Sequence, residues 1–292
     1  MKNSTQFQNN GVTVVIATLG GCLLEKTIFH INIGTVIPDE ILICIPVKEG
    51  NLTNNLTSAS NVKIIKTNVK GQVAQRAVGF QNARNNLVLQ LDDDILLRKN
   101  CLENLITCMG TTGEFAVGPK LYDLKSGLYH SFSTPDPMRS TLFQFIYFRA
   151  LNGISGYQPG CISKAGINMG LPDVEHDYSG IEWLPGACIL HRKHNLILSN
   201  FYPLQGKAFA EDLFHSYLLI KKNIILKRSS QASCEIDFSS GRFIDIKSYI
   251  KQLFLFVRAM KIYIKMTNRS YSRFYSYLIL NHIKLFIKKL GL

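Results

Sequence analysis

The sequence predicts an α/β protein, a mainly parallel sheet flanked by helices and followed by a basic helical extension. Two observations carry this. Apolar, β-branched runs recur at VTVVIA (12–17), EILICI (40–45), VKIIK (62–66) and LVLQL (87–91), with segments of helical length between several of them. Such alternation means parallel strands joined by crossover helices. The charge is also lopsided: residues 241–292 hold eleven Lys/Arg against one acid, Asp245, and so carry ten of the thirteen net positive charges.

The elements follow in order. VTVVIA reads as a buried strand closed by the turn-like TLGG, and residues 22–33 read as helix. EILICI is a second buried strand, and after a polar, Asn-rich connection (50–61) VKIIK is a third. GQVAQRAVGFQNARNN (71–86) is a helix, with Val73, Ala77, Val78 and Phe80 available for a core face. LVLQL is a fourth strand that ends in Asp92-Asp93-Asp94, with another helix starting near residue 99. Residues 121–180, rich in Gly, Pro and Ser (STPDP, NGISGYQPG), read as an irregular insert over the site. Regular pattern returns with IEWLPGACILHRK (181–193) and with FAEDLFHSYLLIKKNIIL (209–226), a helix followed by the strand NIIL.

The bulk composition bounds the rest. The 292 residues suffice for one large domain or two small ones, and 46% apolar residues are ordinary for a globular protein. The start MKNSTQFQNN has no apolar h-region, so no signal peptide is expected. No window approaches ~18 consecutive apolar residues, so no membrane span is expected. Seven scattered cysteines without a C-x-x-C pair argue against a zinc site or a disulfide framework, and for a reducing, cytoplasmic setting. The His residues show no H-x₃-H or H-E-x-x-H spacing, and no G-x-S-x-G, Walker A or G-x-G-x-x-G motif occurs.

In open parallel sheets ligands bind beyond the carboxyl ends of the strands, where TLGG and the Asp triplet both fall. Residues leaving a strand alternate in direction, so Asp92 and Asp94 can share a face while Asp93 points away. Two carboxylates on one face suit a hard divalent cation such as Mg²⁺ or Mn²⁺. A solvated acidic turn, or an Asp capping the next helix, accounts for the tripeptide equally well. Glu211-Asp212 opens a helix, where carboxylates are favoured by the dipole; the sharper alternative makes one of them a general base. Gly186 allows close backbone approach to a ligand. Trp183, the single tryptophan, is either an aromatic platform for a sugar ring or a core residue.

In this order the pieces VTVVIATLGG, GQVAQRAVGFQNARNNLVLQLDDD, WLPGACILHRK and FAEDLFHSYLLIKKN resemble the family 2 glycosyltransferases, over roughly residues 11–226. The resemblance implies the GT-A fold, a Rossmann-like mainly parallel sheet, with residues 1–240 as the nucleotide-sugar transferase domain and 241–292 as a basic amphipathic tail. It implies that the Asp triplet is the DxD motif, with Asp94 and Asp92 toward a Mn²⁺ or Mg²⁺ ion and Asp92 and Asp93 beside the donor. Thr18 and Arg76 would also contact the donor. Asp212 would be the catalytic base, with Glu211, Trp183 and Gly186 on the acceptor side. Partners implied are a nucleoside-diphosphate sugar, foremost a UDP-sugar, and a saccharide acceptor, as in O-antigen or other bacterial surface polysaccharides; the basic tail suits an acceptor that is lipid-linked. One base opposite the leaving group means a single displacement with inversion. Two departures stand out. The second strand ends ICIPV with no acid before Glu49, where relatives carry an Asp that reads uracil, and no Q-x-x-R-W motif follows residue 212, so one sugar is added per visit.

The tail alternates aromatic and basic residues, and Ile283, Phe286, Ile287 and Leu290 fall at i, i+3, i+4, i+7 while Lys284 and Lys288 project elsewhere. This fits an interfacial helix on an anionic membrane surface, and it fits equally helices packed on the catalytic domain. The membrane reading makes the protein peripheral on the inner face of the cytoplasmic membrane. Two rival functions remain: a Mg²⁺-dependent nucleotidyltransferase, and a basic nucleic-acid-binding protein. The second would leave the acids idle and shows no recognised binding motif, so no nucleic acid is expected as a partner.

Overall fold

The computed structural model describes residues 11–48, 59–131, 141–153, 156–205, 207–238 and 245–289. Among the expectations above, MKNSTQFQNN, most of the Asn-rich connection, STPDP and Leu290 lie outside the described residues, as do the side chains of Lys284, Phe286, Ile287 and Lys288.

The elements run β1 (Val12–Ala17), α1 (Leu24–Asn32), β2 (Glu40–Pro46), β3 (Val62–Thr67), α2 (Gln72–Asn82), β4 (Leu87–Leu91), β5 (Ile95–Leu97), α3 (Cys101–Met109), β6 (Phe115–Asp123), α4 (Thr141–Asn152), β7 (Tyr178–Ile181), β8 (Cys188–Arg192), α5 (Glu211–Lys221), β9 (Ile225–Ile236), α6 (Ile246–Thr267) and α7 (Tyr271–Lys289). The strands form one nine-stranded sheet in the order β3-β2-β1-β4-β8-β6-β9-β5, with β7 on β9. Pairings among β3, β2, β1 and β4 are parallel, as is β6 with β9; β8 runs antiparallel to both β4 and β6. The expected α/β fold with a mostly parallel sheet is therefore present, with β8 the main reversal.

The sequence explains the first half well. Every residue of β1, β2 and β4 is buried, as mainly apolar strands covered on both faces should be. β3 lies at the edge and carries the exposed Lys63 and Lys66, charges that discourage further pairing there. Helix α2 packs so closely that a Cβ on Gly79 would meet the Val15 side chain and approach Cys44 Sγ to 2.8 Å. Only glycine fits that crossing.

The second half held surprises. β5 and β6 are strands the sequence did not announce, and β9 runs well past NIIL to Ile236. The expected irregular insert contains a regular helix, α4.

The chain divides into two compact units. The first comprises residues 1–130, 174–180 and 184–240 and holds the sheet apart from Ile181 of β7. The second comprises residues 131–173, 181–183 and 241–292. The tail, residues 241–292, thus falls in the second unit together with residues 131–173 and 181–183. Ala259, Met260, Tyr263, Ile264 and Phe274 are fully buried, and Gly166 lets the backbone lie against Ile264 and Met260 (3.1 and 3.2 Å from an added Cβ). Arg273 donates to the carbonyls of Arg149 (2.9 Å) and Ala150 (3.0 Å), and Arg269 to that of Ser163 (2.7 Å).

Candidate active site

The site forms in the first unit, where β1 and β4 lie side by side and their carboxyl ends open together. The chain proceeds from β1 outward to β2 and β3, then returns to the other side of β1 as β4, so this is the switch point of the sheet. Thr18 leaves β1 and the Asp triplet leaves β4 at this point, and the Thr18 hydroxyl donates to Asp93 Oδ2. Thr18 Oγ1 in turn accepts from the Gly20 backbone N–H (2.9 Å), so one hydroxyl folds the TLGG turn and holds it to the acidic loop. The N–H of Asp92 donates to Ala187 O (2.9 Å), tying β4 to the chain leading into β8.

Helix α2 supplies a buried polar face. Gln72, Gln75 and Arg76 fall at i, i+3, i+4, which places them on one side of a helix. Gln75 Nε2 donates to the carbonyls of Thr18 (2.8 Å) and Cys44 (2.7 Å), fixing the ends of β1 and β2. Gln72 Nε2 donates to Asp92 Oδ1 (2.9 Å). Arg76, only 3% exposed, donates through one terminal nitrogen to Glu211 Oε1 (2.9 Å) and through the other to Asp92 Oδ1. A single guanidinium therefore joins two acidic motifs more than a hundred residues apart. Burial alone would weaken its hold on the proton, but the Glu211 and Asp92 charges outweigh that and keep it firmly cationic.

Helix α5 presents Glu211 and Asp212 in its first turn, entered through Ala210 in a left-handed conformation (φ 57°). A Cβ on Gly186 would run into the Glu211 carboxylate, so the glycine in LPGAC makes room for that acid. Glu211 Oε2 is buried and has no hydrogen-bond partner among the described residues. Asp212 accepts the N–H of Leu213 (3.0 Å). Burial, reinforced by Glu211, pushes its carboxyl up to about 7, where it exchanges protons at neutral pH.

The three aspartates thus differ. Asp92 is engaged by Arg76 and Gln72, and Asp93 by Thr18. Asp94 has no donor among the described residues besides its own backbone N–H. Burial, then the neighbouring Asp93, raises its pKa above the ordinary value. Burial raises Asp92 to about 6, with Glu211 and Asp94 adding to the rise and Arg76 opposing it. Crowded, partly buried carboxylates of this kind fit a divalent cation. No group of three or more His, Cys, Asp or Glu among the described residues is arranged to enclose a metal. An ion held at Asp94 would therefore be completed by phosphate oxygens and water, the usual habit of Mg²⁺.

Of the residues expected at the site, Thr18 is hydrogen-bonded to Asp93, and Arg76 to both Asp92 and Glu211, while Asp94, Asp212 and Gly186 sit against members of these groups. Trp183 belongs to the second unit, where it is buried (3% exposed) and its indole N–H donates to Met169 O (2.8 Å). The sequence reading missed Gln72 and Gln75, although polar residues repeating at i, i+3, i+4 with Arg76 were a signal for a buried polar face. It also missed His191 and His215, whose buried rings lie 5.4 Å apart. Burial and the Arg76 charge keep both neutral, His215 being lowered to about 3.

The comparisons bear on the fold. Residues 51–163 match the sequence family described as "Glycosyl transferase family 2". The fold is GT-A. It is similar to that of GalNAc-T7, crystallised with UDP, GalNAc and Mn²⁺ (TM-score 0.57, 14% identity, covering 85% of this chain and 48% of that one). It is similar also to residues 1–349 of S. aureus TarS in complex with UDP-GlcNAc (TM-score 0.52, 12% identity, 92% and 71%). The chain spans about half the length of the GalNAc-T7 chain. No curated protein matches its sequence.

Proposed function

We propose that the protein is an inverting, metal-assisted glycosyltransferase that moves one sugar from a nucleoside-diphosphate sugar to a hydroxyl of a lipid-linked saccharide acceptor, in the making of a bacterial surface polysaccharide. The observation that carries this reading is the Arg76 bridge, which assembles Asp92 at the end of β4 and Glu211 at the start of α5 into one acidic site at the switch point. A UDP-sugar is the proposed donor, since the structures similar in fold hold UDP or UDP-GlcNAc.

The roles follow from the chemistry. Thr18, Asp92 and Asp93 line the donor side, and Asp94, the least engaged of the three aspartates, would hold Mn²⁺ or Mg²⁺ together with the diphosphate. When bound, the ion neutralises charge developing on the leaving diphosphate. Arg76 acts as a positioning residue, setting Asp92 and Glu211 at a fixed separation. Asp212 accepts the proton of the attacking hydroxyl; a carboxyl near 7 takes that proton more readily than an ordinary aspartate. The free oxygen of Glu211 and the open backbone at Gly186 form the acceptor side. The reading includes a cytoplasmic, peripheral location on the membrane that carries the acceptor.

The test is release of nucleoside diphosphate from a panel of UDP-, GDP- and dTDP-sugars with a lipid-linked acceptor, with the product's anomeric configuration read by NMR. Transfer with inversion, lost in Asp212→Asn, supports the proposal. Pyrophosphate release from a nucleoside triphosphate, with no sugar transferred, would overturn it in favour of a nucleotidyltransferase.

A further inference from the structure

Helix α6 is divided along its length. Its buried residues, Ala259, Met260, Tyr263 and Ile264, all lie in the second half. The first half, Ile246 to Arg258, has no buried residue although it reads IKSYIKQLFLFVR. Ile246 (80%), Ile250 and Phe254 (66%) stand exposed at i, i+4, i+8. A helix that merely covered a core would bury such a stripe.

Neighbouring helices of the same unit also expose apolar side chains. Tyr249 contacts His282 of α7 (hydroxyl to Nε2, 3.2 Å), which brings the start of α6 beside the later turns of α7, where Ile279 is exposed. Tyr147 of α4 lies near Tyr277 of α7 (6.2 Å between rings), and α4 exposes Leu142, Phe145 and Ile146. Three adjoining helices thus leave large apolar side chains in water.

The charge on α6 is arranged beside the stripe. At 3.6 residues per turn, Lys247, Lys251, Arg258, Lys261 and Lys265 fall within an arc of about 80°, next to that of Ile246, Ile250 and Phe254. All five are exposed. The helix carries no acid, and Asp245, the one acid of the tail, is used as its N-cap, accepting from Ser248 N–H (3.0 Å). No helix among the described residues is long and apolar enough to cross a membrane.

We propose that this face, centred on the first half of α6 and continued by Ile279 and by Leu142, Phe145 and Ile146, docks on an anionic lipid bilayer. The apolar residues enter the headgroup boundary and the basic arc lies over anionic headgroups. The inference deepens the proposed function by naming the surface that would bring the protein to a lipid-borne acceptor. Binding itself is measured without turnover, so the two can fail separately.

The experiment is flotation of the full chain with vesicles of phosphatidylcholine alone or mixed with phosphatidylglycerol, at low and high salt. The wild-type protein should float with the mixed vesicles and be released by salt. Each lysine at an anionic surface is worth about fivefold in partitioning, so Lys251→Glu/Lys261→Glu should lower binding by well over tenfold. Ile250→Ser/Phe254→Ser should abolish the salt-resistant part; both pairs are exposed, so circular dichroism should be unchanged. Failure of the wild type to float with anionic vesicles overturns the proposal, as does equal binding by both double variants. Sedimentation velocity showing a dimer that Phe254→Ser dissociates, without vesicle binding, also overturns it and assigns the face to a second copy.

Discussion

Two buried acidic clusters in the first unit make an instructive contrast. At the amino end of β2, Glu40 is nearly inaccessible yet meets Lys63 (3.1 Å), Arg84 (2.8 Å) and the Thr13 hydroxyl (3.1 Å). Burial raises its pKa, but these partners outweigh burial and leave it below the ordinary value. At the carboxyl ends of β1 and β4, Asp92, Glu211 and Asp212 share a single buried cation among the described residues, Arg76, with Asp93 and Asp94 beside them. There burial wins: Asp92 rises to about 6 and Asp212 to about 7. The amino-end cluster is neutralised and serves the fold. The carboxyl-end cluster keeps surplus negative charge, which suits it to a cation, a proton or a cationic transition state.

Substitutions should separate the two clusters sharply. Asp212→Asn removes the proposed base and should lower the transfer rate by about 10²–10⁴-fold with the fold intact. The same variant should alter the pH dependence of stability. The native carboxyl holds its proton up to about 7, whereas its unfolded value is 3.8, so stability falls as pH rises through that window. Thermal unfolding at pH 5 and pH 8 should show a smaller fall in Asp212→Asn than in the wild type.

Arg76→Met leaves Asp92 and Glu211 buried without their cation and should cost about 3–5 kcal/mol, measured by urea unfolding. Asp94→Asn should leave stability near the wild-type value while abolishing the Mn²⁺ dependence of UDP binding by calorimetry; metal-dependent binding that persists would move the ion away from Asp94. In the wild type, kcat/KM should rise as pH passes from 6 to 8, because the ionised base accumulates above about 7. The smallest catalytic effect belongs to Glu40→Gln. It should lose about 1–3 kcal/mol of stability and leave kcat unchanged, and a change in kcat would blur the contrast.

The legibility of the fold followed burial. β1, β2 and β4 are mainly apolar, with only Thr13, Glu40 and Gln90 as exceptions, because both faces are covered, and such runs declare themselves. β6 reads FAVGPKLYD, and its Gly-Pro pair looks like a break. In the structure β6 continues through that point while its register with β9 shifts: Gly118 pairs with Arg228 and Lys120 with Ser233, the extra residues lying on β9. β9 carries KRSSQAS through its middle, a polar string with strand geometry supplied by its neighbours rather than by its own composition. α4 lies between Gly-, Pro- and Ser-rich stretches that hid its twelve residues.

The sequence by itself determined the parallel core, the position of the acidic triplet at a strand end, the acidic start of α5 and the uneven charge of the tail. These are local: they depend on periodicity, on turn chemistry and on which residues stand next to one another. Only the tertiary structure decided that Arg76 would bridge Asp92 and Glu211, that Asp94 would have no donor among the described residues besides its own backbone N–H, and that half of α6 would be packed and half exposed. The physical reason is the same in each case. Desolvation and ion pairing depend on what surrounds a group in space, and the partners concerned come from elements far apart along the chain.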